Sequence, residues 1–148
     1  MKDIKAGLLD SCINQQMLVV EQLQNEISEA QNQANDYGQP KDRYDAFRTK
    51  LMRQIELFAK QLDKAKIVIN TLGKIEADKQ LSVVEFGALV ITNKQKIFVS
   101  AGLGKVDFNG ITYFAISPKV PIYNALKGKR VGDEIVFNGM KIIIESIY

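Results

Sequence analysis

Two interleaved sevenfold rows constrain this chain more than any other feature. Ala6, Ile13, Val20, Ile27 and Ala34 stand seven apart, and Leu9, Gln16, Leu23 and Ala30 follow the first four at three positions' distance. A helix with apolar residues at spacings of three and four carries a narrow seam, which stays wet until a second helix covers it. The second helix is encoded nearby: Tyr44, Leu51, Phe58, Ala65 and Leu72 form one row, with Arg48, Ile55, Leu62 and Ile69 between them. The stretch that separates the two runs, "QANDYGQPKDRYDAF", places Gly38 and Pro40 where a helix must break. So short a connection predicts an antiparallel coiled-coil hairpin over residues 1–74 with its tip near 35–43. Each arm would span roughly 45 Å at about 1.5 Å per residue. Gln16 in the seam is a polar register-fixing residue. Such a thin rod has no bulky core, so its use is to reach into, or grip, something else.

From about residue 81 the period shortens to that of strands. "LSVVEFGALVIT", "KIFVSA", "ITYFAI", "DEIVF" and "MKIIIESI" are short runs rich in Val, Ile, Phe and Tyr. Asn109-Gly110 and Asn138-Gly139 supply the pair that tight hairpin turns favour. In "PIYNALKGK", Pro121 suits a first helical turn and Gly128 suits the position past a helix end. The expectation is an α+β chain: a helical hairpin, a linker at 75–80, and a small antiparallel β domain with one short helix over 81–148.

Composition narrows the chemistry. With one cysteine, Cys12, and no histidine, the chain has no internal disulfide, no Cys/His or Ser/His pair and no His-ligated zinc. Residues 1–74 carry 11 basic and 10 acidic side chains and residues 75–148 carry 9 and 7, too even a balance to indicate nucleic acid by charge alone. The first residues, "MKDIKAGLLDSCINQQ", contain charges and no apolar run of the length a signal peptide or membrane span needs. A cytoplasmic protein without a membrane partner is expected.

At "VEFGALVIT", "PIYNALKGKRVGDEIVF" and "KIIIESIY" the chain resembles the GreA/GreB family of bacterial transcript-cleavage factors. The order of parts agrees, because that family joins an N-terminal coiled-coil hairpin to an FKBP-like domain. The family pattern, roughly Ser-Pro-Ile-x-x-Ala-Leu-x-Gly-Lys-x-x-Gly-Asp, is met by Pro121, Ile122, Ala125, Leu126, Gly128, Lys129, Gly132 and Asp133. Its serine is not met, since Val120 stands there, with Ser117 and Pro118 just upstream. The resemblance implies an elongation factor whose partner is RNA polymerase. By that resemblance it would dock on the rim of the secondary channel through Ser117, Pro118, Lys119, Val120 and Pro121, and would meet nascent RNA and DNA only within the transcription complex. No small-molecule substrate is implied.

In the family, acidic residues at the tip help hold a second Mg2+ in the polymerase's own active site, so the factor is no enzyme itself and at most stimulates the polymerase's RNA cleavage. No tightly bound cofactor is expected, and any Mg2+ at the tip would belong to the polymerase complex. The family tip reads approximately Asp-Leu-Lys-Glu-Asn-Ala-Glu-Tyr. Matched to Tyr44 without a gap, it puts Tyr37 at the Asp position and Pro40 at the Glu position, which removes the acidic pair. The remaining tip candidates are Asp36, Asp42 and Asp45, with Asp36 and Asp42 the candidate metal ligands. Local chemistry offers these aspartates other tasks, as turn, cap or first-turn residues. Lys41, Arg43, Arg48, Lys50 and Arg53 form a basic flank that would face RNA. A channel-blocking regulator without cleavage activity follows from the poor tip match. Two further readings are a coiled-coil adaptor or holdase, and an FKBP-type prolyl isomerase using aromatics among Phe86, Phe98, Tyr113, Phe114 and Phe137.

Overall fold

The computed structural model describes residues 2–38 and 45–148. They fall into two compact units, Asn14–Asn70 and Met1–Ile13 together with Thr71–Tyr148. The fold is α+β.

The first unit is a helical hairpin made from most of α1 (Lys2–Tyr37) and α2 (Ala46–Leu72). Within it, every described residue of the sevenfold rows is buried or half-buried, from Gln16 to Ala34 on α1 and from Arg48 to Ile69 on α2. The small side chains Ala30, Ala34 and Ala65 are among the most deeply buried. A seam of alanines lets two helix backbones approach closely. The outer faces carry glutamines and charged residues together with exposed Met17, Leu18, Leu57 and Ile67, and the hairpin is held by one stripe rather than by a core.

The first turns of α1 belong to the other unit and bury a different stripe. Lys5, Leu8, Leu9 and Cys12 are all buried, at helical spacings of three, one and three. At Gly7 the helix comes so near the hairpin formed by the sheet's outer strands that an added Cβ would lie 2.6 Å from Cζ of Phe108. Residues 73–88 continue from α2 without regular structure, yet they are not slack. Ile75, Leu81 and Val84 are buried, and the Gln80 side-chain amide donates to the Ile147 carbonyl at 2.8 Å.

Six strands follow: β1 (Leu89–Thr92), β2 (Lys96–Val99), β3 (Gly104–Phe108), β4 (Ile111–Ile116), β5 (Glu134–Phe137) and β6 (Met140–Ile147). A short helix, α3 (Pro121–Leu126), lies between β4 and β5. Their order in the sheet is β3-β4-β2-β1-β6-β5. All neighbours are antiparallel except β2 and β4, which run parallel with Phe98 opposite Ala115. One core cluster contains Val90, Ile97, Val99, Leu126, Ile142 and Ile144, all almost wholly buried, and the alternate residues Leu89 and Phe98 on the opposite face of the sheet are buried as well. Truncating one such leucine or isoleucine to alanine costs about 2–5 kcal/mol.

Two strand expectations change. β3 has no counterpart among the apolar runs, because this edge strand buries only Val106 and its other side chains are polar, small or half-exposed. Of "LSVVEFGALVIT" only the last four residues are strand. Its first half instead exchanges hydrogen bonds with the turn after α3: the Val84 N–H donates to Lys129 O and the Gly128 N–H donates to Val84 O, both at 2.9 Å. Both Asn-Gly turns adopt the conformation their sequence favours, with φ of 51° and 77° at Asn109 and Gly110 and the same pair at Asn138 and Gly139.

Candidate functional site

The hairpin connection is built from its two ends. α1 stops at Gly38, whose φ of +84° suits a residue without a Cβ and whose N–H is shared between the carbonyls of Ala34 and Asn35 at 3.3 and 3.1 Å. α2 starts after Asp45, which caps it: Oδ1 accepts the Arg48 backbone N–H at 3.2 Å. The same Oδ1 accepts the Tyr37 hydroxyl at 3.2 Å, and the Arg48 guanidinium donates back to the Gly38 carbonyl. The rings of Tyr37 and Phe47 lie 4.7 Å apart, tilted by 52°. The two helix ends are therefore fastened directly to each other.

This arrangement separates the aspartates. Asp45 is committed to local structure. Asp36 sits in the last turn of α1, exposed, and no described residue donates to it. A carboxylate there faces the negative end of the helix dipole, and no basic side chain in that turn offsets it. Asp36 is thus locally unfavourable and open to an external partner. Asp42, Lys41 and Arg43, like Pro40 and Tyr44, lie outside the described residues. Of the remaining basic flank, Lys50 and Arg53 are exposed, while Arg48 is half-buried and engaged with Gly38. Among the described residues no group of three or more His, Cys, Asp or Glu side chains is placed to hold a metal. Asp36 alone fits only as one hard oxygen ligand to an ion otherwise held by a partner.

In the globular unit, residues 117–133 form the second candidate surface. The Ser117 hydroxyl accepts the Lys119 N–H at 3.1 Å, closing a turn that brings the chain to α3. Val120 is the residue capping α3 and has extended φ and ψ of −83° and 152°, with no side-chain acceptor to offer the helix. It packs on the core instead. Pro121 opens the helix, Gly128 with φ +74° ends it, and Gly132 with φ +90° donates its N–H to Ile144 O at 2.8 Å. Asp133 accepts the Arg130 N–H at 2.8 Å. Proline, glycines and aspartate all serve the turns. Lys119, Lys127 and Lys129 are exposed side chains on the same stretch, and Ser117 and Pro118 are half-buried.

Two buried polar residues gave no signal in the sequence. Lys5 has 1% of its surface exposed, and its Nζ donates to the Lys79 carbonyl at 3.1 Å. Burial pulls its ammonium pKa below the usual lysine value, against the fields of Glu85 and Asp78, which raise it. Cys12 is fully buried, and burial pushes its thiol up to about 11.

No protein-family model matches the chain, and no curated protein matches it. Four solved chains are similar to it, and they include two structures of one factor. One is the crystal structure of GreA factor homolog 1 (Gfh1) of Thermus thermophilus, 18% identical over 92% of this chain and 94% of that one, with a TM-score of 0.35. The other is a structure of the transcription factor Gfh1, 17% identical over 93% and 94%, also with a TM-score of 0.35. Among the described residues no helix is long and apolar enough to cross a membrane.

Proposed function

We propose that this chain is a Gre-type factor that binds RNA polymerase at its secondary channel and regulates elongation, with weak or absent stimulation of transcript cleavage. The observation that supports it is an ordered set of residues. Pro121, Ile122, Ala125, Leu126, Gly128, Lys129, Gly132 and Asp133 follow the family pattern, in a globular unit that comes after a two-helix hairpin. On this reading Ser117, Pro118, Lys119, Val120 and Pro121 make the polymerase contact, and Lys119 is their exposed cation. Lys50 and Arg53 remain free to lie near RNA.

The weak cleavage follows from the hairpin end. Metal recruitment needs carboxylates placed to a fraction of an ångström, whereas blocking a channel needs only shape. Asp45 holds a helix cap, which leaves Asp36 as the described candidate for any Mg2+ shared with the polymerase. A polymerase complex backtracked so that its RNA 3′ end is extruded tests the proposal. The factor should bind it and slow nucleotide entry, with little shortening of the RNA. Robust shortening would overturn the second half of the reading, and failure to bind would overturn the first.

A further inference from the structure

Beside Lys5 the globular unit has a cavity of about 170 Å³, walled by Lys5, Lys74, Ile75, Glu76, Lys79 and Glu85 among others. That is room for one small acidic group with a few attached atoms. The Lys5 ammonium carries three N–H donors. One donates to the Lys79 carbonyl, and no other described residue accepts from it. Among the described residues no carboxylate lies within ion-pair distance of Nζ, although Glu85 and Asp78 are near enough to act on it through space. A buried ammonium with spare donors and no paired anion is a costly arrangement. A leucine or methionine would fill the same helix stripe without that cost, so simple packing does not account for a lysine there.

We propose that this cavity is a binding site for a small carboxylate, which accepts an N–H of the Lys5 ammonium. The wall chemistry supports that class. On the wall itself Lys5, Lys74 and Lys79 outnumber Glu76 and Glu85, so a carboxylate meets more positive than negative lining groups, with Asp78 opposing it from outside the wall. Glu85 is exposed, and as a negative charge acting on Lys5 it opposes the ligand. Binding here is independent of the polymerase reading, because neither the hairpin end nor residues 117–121 take part.

The test is a titration of the full chain with sodium acetate at constant ionic strength, followed by the backbone amide resonances of residues 5 and 74–87. Sodium chloride is the reference and inorganic phosphate a second arm. Saturable shifts with acetate and none with chloride are expected. Lys5→Met should weaken acetate binding about tenfold or more while the fold is kept, as a charge-assisted hydrogen bond is removed. Glu85→Gln should tighten it, and this variant carries the test if Lys5→Met fails to fold. No saturable shift, binding that Lys5→Met leaves unchanged, or saturation by phosphate alone would each overturn the proposal.

Discussion

The hydroxyl of Tyr37, the last residue of α1, donates to the Asp45 carboxylate that caps α2, 3.2 Å away. One carboxylate oxygen thereby closes the hairpin and starts its second helix. Asp45→Ala should cost about 0.5–2 kcal/mol, the range for a lost helix cap, and Tyr37→Phe should cost less. Thermal unfolding followed by circular dichroism reads both.

Asp36 should behave in the opposite sense. Replacing it with asparagine removes a negative charge from the C-terminal turn of α1 and should stabilise the hairpin by about 0.3–1 kcal/mol. The gain should shrink in high salt. If Asp36 contributes to a shared metal, the same variant loses whatever cleavage the wild type supports while gaining stability.

Gly7 gives a test by difference. Gly→Ala inside a helix ordinarily stabilises by about 1 kcal/mol. Here the new methyl meets the Phe108 ring, so Gly7→Ala should show no such gain and should cost stability if the ring cannot move. In a Phe108→Ala background the ordinary gain should reappear, and a double-mutant cycle measures the coupling.

Cys12 makes a pH prediction. Its folded thiol titrates near 11, whereas the unfolded thiol titrates near its ordinary value of 9.0. Between those values the unfolded chain loses its proton first, so this group lowers stability as pH rises from about 9 to 11. Cys12→Ala should be less sensitive to pH over that window than the wild type, as read by urea unfolding. Thiol reagents should modify Cys12 only at the rate of unfolding.

How much of this was legible beforehand differs by element. The sevenfold rows predict both helices and the inward face of the hairpin, since a seam is a local periodic signal. β3 was missed because an edge strand burying only Val106 has no alternation to read. The Asn109-Gly110 turn that follows it was the signal that could have found it. Lys5 could not be foreseen, because its burial depends on residues 74–87, far along the chain, and a helical lysine is ordinarily solvated. At the hairpin end the sequence offers three aspartates, of which Asp36 and Asp42 were the candidate metal ligands. The structure separates Asp45, which caps a helix, from Asp36, which does not, and Asp42 lies outside the described residues.

The central claim is that residues 117–121 and the hairpin make this chain a ligand of RNA polymerase. Equilibrium binding of the labelled full chain to cognate core RNA polymerase, with a Lys119→Glu variant beside it, tests this most directly. The account predicts saturable one-to-one binding by the wild type, weakened by the charge reversal. Absence of binding at micromolar polymerase, or binding indifferent to Lys119→Glu and to a tetra-alanine replacement of residues 117–120, would contradict it.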